Sequence, residues 1–177
     1  MKFRSYLHVL LAILLSTAIA SCAHAPSNPV SLASFTENSV NVSVSLQHNS
    51  TGNDFLSATF TPPDGYHLYS KDIPASGVNG LGRPTVLALT PNSHMKALGG
   101  LTESVSAEVP DFGSDQLLVY PAGPVTLRLP VELPISTGWV NDEVRVSFVA
   151  CSANQCKPPV EKLIAIRLPS ADLFNDQ

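Results

Sequence analysis

Apolar and polar residues alternate with a period of two along most of the chain after residue 38. A period of two puts successive side chains on opposite faces of an extended chain, which is typical of strands buried on one face. The clearest apolar positions are Val40, Val42, Val44 and Leu46; Leu56, Ala58 and Phe60; Val125, Leu127, Leu129, Val131 and Leu133; Val144, Val146, Phe148 and Ala150; and Ile164, Ile166 and Leu168. The pattern predicts a protein built from strands.

The segments between these strands are rich in turn-forming residues. Glycine, proline and asparagine cluster at residues 49–53, 62–65, 77–82, 99–100 and 121–123. After the first 22 residues, no stretch of ten has helical periodicity with capping residues. Short, evenly spaced strands separated by turns are typical of sandwiches. We therefore expect an all-β fold, an immunoglobulin-like antiparallel β-sandwich.

The first 22 residues have the pattern of an export signal. Lys2 and Arg4 precede an apolar run over residues 7–19, and small residues follow as far as Cys22. An ordinary cleavage site after Ala20 is one interpretation. The other is a lipobox at residues 19–22, in which Cys22 is lipidated and becomes the mature N-terminus. The number of cysteines favours lipidation. Two of the three lie close together in sequence, which leaves Cys22 without a partner for a disulfide.

These patterns divide the chain into four parts. The signal covers residues 1–22, a flexible tether 23–37, one sandwich domain 38–170 and a C-terminal tail 171–177. An exported chain works where disulfides persist. We expect it in the cell envelope or periplasm, attached by its lipid anchor, with the outer membrane favoured because Ala23 is not acidic.

Composition excludes several classes of function. The formal net charge is −4 and no basic stripe is present, which argues against nucleic-acid binding. The histidines are scattered, and two cysteines alone make a poor zinc site, since structural zinc takes four ligands. We expect neither a metal site nor a cofactor.

The candidate chemistry lies in the stretch CSANQCKPPVEKL, residues 151–163. Four residues separate Cys151 from Cys156, at a turn between two predicted strands, and Pro158 and Pro159 stiffen the exit. A disulfide here would close a short loop and constrain the unfolded chain little, by roughly 2 kcal/mol. The pair taken alone fits either a structural hairpin disulfide or one that takes part in thiol–disulfide exchange.

Three segments together resemble the periplasmic N-terminal domain of DsbD-type thiol:disulfide interchange proteins, here as a stand-alone, lipobox-bearing chain. They are the cysteine stretch, the segment PDGYHLYSKDI at residues 63–73, and the segment PDFGSDQLLVYPAGPVTLRLPVEL at residues 110–133. The resemblance runs in order across most of residues 38–168. It implies an immunoglobulin-like fold, in agreement with the alternation.

The resemblance also implies roles for individual residues. Cys156 matches the cysteine that forms the mixed disulfide with a partner, and Cys151 matches the one that resolves it. Phe112 matches an aromatic cap over the disulfide, and Asp111 matches an acidic residue of that cap. The cap here is only Asp-Phe-Gly, shorter than is usual in the family. Phe112 could instead be an ordinary packing residue.

Three further side chains are candidates for the face around the cysteines. Tyr66 and Tyr69 either line that face or pack inside the sandwich. Lys157 is adjacent to Cys156 and would favour its thiolate, whereas Asp111 would disfavour it.

The implied function is a relay of electrons between a membrane-embedded thiol carrier and thioredoxin-like periplasmic proteins. The alternative is a non-enzymatic envelope lipoprotein that binds a protein partner and has a structural disulfide.

Overall fold

The computed structural model describes residues 29–48, 53–111 and 116–175. Within these ranges the chain forms strands and one short helix. In chain order they are β1 (Val30–Glu37), β2 (Val40–His48), β3 (Asp54–Thr61), β4 (His67–Leu68), β5 (Val86–Leu89), β6 (Lys96–Ala97), β7 (Thr102–Glu103), β8 (Val125–Glu132), β9 (Trp139–Phe148), β10 (Ala150–Cys151), β11 (Val160–Pro169) and α1 (Ala171–Asn175).

The longer strands form two antiparallel sheets. The first has the order β1-β2-β3-β8-β6, with β7 also paired to β8, and the second has the order β11-β9-β5. A further two-stranded ladder joins β4 to β10. The predicted all-β fold, an immunoglobulin-like antiparallel β-sandwich, is confirmed.

The period-two alternation explains the core between the sheets. In β2 every second side chain from Val40 to Leu46 is fully buried, and the residues between them are exposed or only partly buried. β8 and β9 alternate in the same way. The inward-facing side chains of both sheets join in one cluster, in which Phe60 and Phe148 meet edge to face with ring centroids 5.7 Å apart. Burial of this apolar surface is the main stabilising contribution to the sandwich.

Both boundaries of the predicted domain are corrected by the structure. Residues 30–37, predicted to belong to the flexible tether, form β1, which pairs with β2 along its length. The tail predicted from residue 171 begins with α1, and its Phe174 is buried against the core. The rest of the predicted tether, residues 23–28, lies outside the described residues.

Different turns, loops and strand ends lie at the two ends of the sandwich. At one end, β1 turns into β2 at Asn38 and Ser39, and the loop with both paired cysteines follows β9. At the other end, β1 and β9 begin and α1 packs beside them. In the described part of the chain, no helix has the length and apolar character needed to cross a bilayer.

Candidate functional site

The two cysteines form a disulfide across a tight hairpin. Cys151 and Cys156 are bonded, with Cα atoms 4.0 Å apart, and they pair as an antiparallel bridge. The Lys157 amide donates to the Ala150 carbonyl at 2.9 Å, and the Ser152 amide donates to the Gln155 carbonyl at 2.8 Å. The backbone thus holds the two sulfur-bearing residues opposite each other.

The two halves of this disulfide differ in access to solvent. Cys151 ends β10 and is only 2 % exposed, within an apolar cluster that includes Tyr69, Val119 and Val149. Cys156, in contrast, is exposed. We therefore expect a thiolate from another protein to attack the sulfur of Cys156 and not that of Cys151.

The residues between and after the cysteines are fixed by local hydrogen bonds. The Ser152 hydroxyl accepts from the Gln155 amide at 3.3 Å, as expected for a serine that stabilises a turn. Beyond Cys156, the Pro158 carbonyl accepts from the Asn38 side-chain amide at 2.8 Å. The exit of the hairpin is therefore bound to the β1–β2 turn, 120 residues away in sequence.

Tyr66 lies beside the exposed cysteine and contacts both of its chain neighbours. The Gln155 side-chain amide donates to the Tyr66 hydroxyl at 2.7 Å, and the Lys157 ammonium lies 5.5 Å from the centroid of the Tyr66 ring. An ammonium over an aromatic ring is attracted by the negative face of the ring. Tyr66 and Lys157, both predicted from sequence as candidates for this face, are therefore brought together next to Cys156.

Tyr69 occupies the buried side of the site. Its ring packs in the cluster that holds Cys151, and it meets the His67 ring edge to face at 5.5 Å. Burial raises the pKa of the Tyr69 hydroxyl above its usual value. Tyr69 is thus a packing residue beneath the disulfide, which is one of the two roles considered from the sequence. It is not part of the exposed surface around Cys156.

His67 lies directly opposite Cys151 in the ladder between β4 and β10. Burial lowers the pKa of the imidazole, because a desolvated site disfavours its charged form. His67 is thus a titratable group next to the buried cysteine.

The predicted cap segment is anchored at the same end of the molecule. Val119 forms isolated β-bridges with both Tyr69 and Glu108. The chain before the cap segment and the chain after it therefore both lie beside the cluster that holds Cys151. Asp111 is exposed and is the last described residue before a gap. Phe112 lies outside the described residues, and so does the predicted lipidation site Cys22.

Three residues of the site were not found by the sequence analysis. Gln155 and Asn38 act through contacts that depend on the fold, and their sequence context gives no sign of them. His67 lies inside the Gly-Tyr-x-Leu-Tyr segment, where its position opposite Cys151 follows only from strand register.

The arrangement is suited to thiol–disulfide exchange. It offers one accessible sulfur, one sheltered sulfur and a stiff hairpin that keeps them within bonding range.

Comparison with known proteins finds similarity at the level of structure. No protein-family model matches the sequence, and no curated protein matches it. Among solved structures, the chain is similar to the N-terminal domain of Neisseria meningitidis DsbD in its reduced form. The TM-score is 0.42 and the sequence identity is 16 %, over 65 % of this chain and 81 % of that domain.

Proposed function

We propose that this protein is a thiol:disulfide exchange domain of the cell envelope, with Cys156 as the reacting cysteine and Cys151 as the resolving one. The observation that carries the proposal is the unequal access to a bonded pair, in which Cys156 is exposed and Cys151 is 2 % exposed. The DsbD-like sequence segments support the same roles.

The exchange balances as a transfer of two electrons. A thiolate of a partner dithiol attacks the Cys156 sulfur, the bond between the cysteines breaks, and Cys151 leaves as the thiolate. The second thiol of the partner then attacks the mixed disulfide, so the partner becomes oxidised and the domain becomes a dithiol. In the reverse direction, the Cys156 thiolate attacks a partner disulfide and Cys151 releases the product.

The proposed exchange at Cys156 requires a partner that supplies a dithiol or a disulfide. A thioredoxin-like protein with an exposed cysteine pair supplies the matching dithiol or disulfide. The DsbD resemblance adds a membrane-embedded thiol carrier as the second partner in a relay. For the chain itself we propose export, lipidation at Cys22 and attachment to the envelope membrane, with the outer membrane favoured.

Trapping of the mixed disulfide tests the proposal. In cells that make Cys151→Ser, Cys156 still attacks a partner, but no neighbouring thiol releases it, so a covalent complex accumulates that reductant dissolves. The matched control is Cys156→Ser, in which the remaining Cys151 is buried and should trap little or nothing. Absence of a complex in the first variant, together with an alkylation-resistant Cys156 after mild reduction, would contradict the exchange role.

The redox potential separates this function from the alternative, a partner-binding lipoprotein with a structural disulfide. A structural disulfide typically has a potential below about −300 mV and resists glutathione, whereas an exchange pair equilibrates near its partners. We expect the pair to equilibrate with a glutathione buffer.

A further inference from the structure

Of the large apolar side chains that are exposed in the described residues, three lie at the end of the sandwich opposite the disulfide. Ile135 is 92 % exposed, Trp139 is 49 % exposed and Leu173 is 39 % exposed. We call these three residues the apolar end. Single exposed apolar residues are common on protein surfaces, so the question is whether these three share one surface.

Backbone hydrogen bonds place the three residues next to one another. The Ala171 amide donates to the Pro134 carbonyl at 3.3 Å, which joins the start of α1 to the residue before Ile135. The Ser170 amide donates to the Gly138 carbonyl at 3.0 Å, and Trp139 pairs with Pro169. The loop that carries Ile135, the first residue of β9 and α1 therefore meet at one end of the molecule.

The chain enters the sandwich at this same end. Val30, the first residue of β1, pairs with Leu46 near the end of β2. β2 ends at His48, whose ring lies over the Phe174 ring of α1 with centroids 4.0 Å apart. The segment before β1 thus joins the domain on the side where α1 and the apolar end lie.

The cysteine hairpin lies at the far end. β9 runs from Trp139 to Phe148, and Cys151 follows shortly after it. Ten residues of strand span about 30 Å, since each adds about 3.3 Å. Asn38, at the far end of β1, confirms the direction through its hydrogen bond to Pro158.

We propose that the apolar end lies on the surface of the bilayer to which the chain is anchored, so that Cys156 points away from the membrane. The inference rests on the lipidation of Cys22 proposed above, and it does not depend on the exchange reaction. Seven residues separate Cys22 from Val30, and even a fully extended chain of that length reaches only about 25 Å. An anchor this close keeps the entry end within about 25 Å of the membrane surface.

The chemistry of the apolar end fits a lipid surface. Trp139 combines an apolar ring with one polar N–H, the combination that favours the interface between headgroups and acyl chains. Arg167 lies over that ring at 5.6 Å. The other charges near this end include Asp172, the pair of Lys96 with Glu132, and Asp54, which pairs with His48. Because the charges nearly balance, contact with the bilayer is apolar and needs no anionic lipid.

The orientation restricts the partners of the disulfide. With the apolar end on the bilayer, Cys156 stands about 30 Å above it. A soluble thioredoxin-like protein reaches Cys156 freely at that height. A membrane carrier reaches it only through a part that extends equally far from the bilayer.

Tryptophan fluorescence tests the orientation, because Trp139 is the only tryptophan of the chain. The mature protein, as cells process it, is mixed with phosphatidylcholine vesicles whose acyl chains are brominated near the headgroup, and its emission is compared with that in unbrominated vesicles. We expect quenching by the brominated lipid and emission at shorter wavelength than in water. The combined Ile135→Ser and Leu173→Ser variant should lose much of both effects.

Leu163→Ser is the matched control, because Leu163 is 58 % exposed but projects from the middle of β11, away from either end. It should leave the quenching unchanged. Protein that sediments with the vesicles but has unquenched Trp139 overturns the orientation and leaves the anchor intact. Protein that stays in the supernatant overturns both the anchor and the orientation. Neither result bears on the trapping experiment with Cys151→Ser.

Discussion

At the scale of single residues, the site depends on contacts that hold the exit of the cysteine hairpin. Cys156 itself is exposed, and its position is set by the Ser152 turn, by Tyr66 and by Asn38. Each of these contacts is small, since a net hydrogen bond contributes about 1 kcal/mol. Small contributions still change the reduction potential of a disulfide measurably, because about 1.4 kcal/mol corresponds to 30 mV for a two-electron couple.

Asn38→Gly should raise the reduction potential of the pair. Glycine tolerates the positive φ of 49° at this position but removes the amide that holds the Pro158 carbonyl. A looser hairpin brings the two thiols together less often, so the disulfide becomes less stable relative to the dithiol. We expect a rise of up to about 20 mV, measured against a glutathione buffer.

Ser39→Gly is the control for that experiment. Ser39 also has a positive φ, of 65°, in the same turn, and its replacement leaves the Asn38 amide in place. An equal rise in both variants would mean that turn flexibility, and not the bond to Pro158, sets the potential.

His67 should make stability depend on pH. Burial lowers the pKa of His67 from its ordinary value of 6.5, so the unfolded chain takes up a proton that the folded protein resists. The stability from neutral His67 is therefore full above pH 6.5 and is lost as the pH falls through the lowered folded pKa. Chemical denaturation at several pH values should show the free energy of unfolding decreasing with acidity in this window.

His67→Gln should flatten that decrease, because glutamine does not titrate. His94→Gln is the matched control, since His94 is exposed. If both variants kept the slope of the unsubstituted protein, the pH dependence would have another origin.

At the scale of elements, the alternation of apolar residues predicted the long strands and missed the irregular ones. β2, β3, β8, β9 and β11 coincide with the predicted segments because each has one buried face. β1 was missed because its register shifts between Ser31 and Ala33, which breaks the period of two. α1 has five residues, too few for a helical period to be visible.

The candidate site was predictable to a similar extent. The cysteine pair and the residues next to it in sequence, Lys157 among them, were found because spacing and local chemistry identify them. Contacts from distant elements, such as those of Asn38 and His67, depend on strand register and turn position, which a single sequence does not specify.

Gly82, in the loop between β4 and β5, should help to keep Cys151 buried by leaving room for the Tyr69 ring. Its φ is +73°, and an added Cβ would lie 2.9 Å from the Tyr69 ring, which packs in the cluster of Cys151. Gly82→Ala therefore combines backbone strain with displacement of that ring. We expect a loss of about 2–4 kcal/mol in the free energy of unfolding and faster alkylation of Cys151 in the reduced protein.

Gly80→Ala isolates the backbone contribution. Gly80 has a φ of +82°, and its added Cβ would meet nothing within 4 Å. This variant should lose only about 1–2 kcal/mol and leave the alkylation of Cys151 unchanged. Equal losses in the two variants would contradict a role for the Tyr69 ring.

At the scale of the whole molecule, the core and the disulfide are largely separate. The large cluster between the sheets contains Phe60, Phe148 and many aliphatic side chains, whereas Cys151 belongs to a smaller cluster at one end. The disulfide also joins residues five apart, so it ties together no distant strands. We therefore expect that a disulfide placed in this way can open without disrupting the fold.

Reduction of the disulfide should accordingly cost little stability. Opening a loop this short restores roughly 2 kcal/mol of unfolded-chain entropy, against nearly 5 for a loop of a hundred residues. Denaturation of the oxidised and reduced forms should therefore give free energies of unfolding that differ by about 2 kcal/mol, with the same circular dichroism before the transition. The Cys151→Ser, Cys156→Ser double variant should behave like the reduced form. If reduction unfolded the protein while the double variant remained folded, reductant would be acting elsewhere. If both lost the fold, the disulfide would be a structural part of the sandwich and repeated opening during exchange would be excluded.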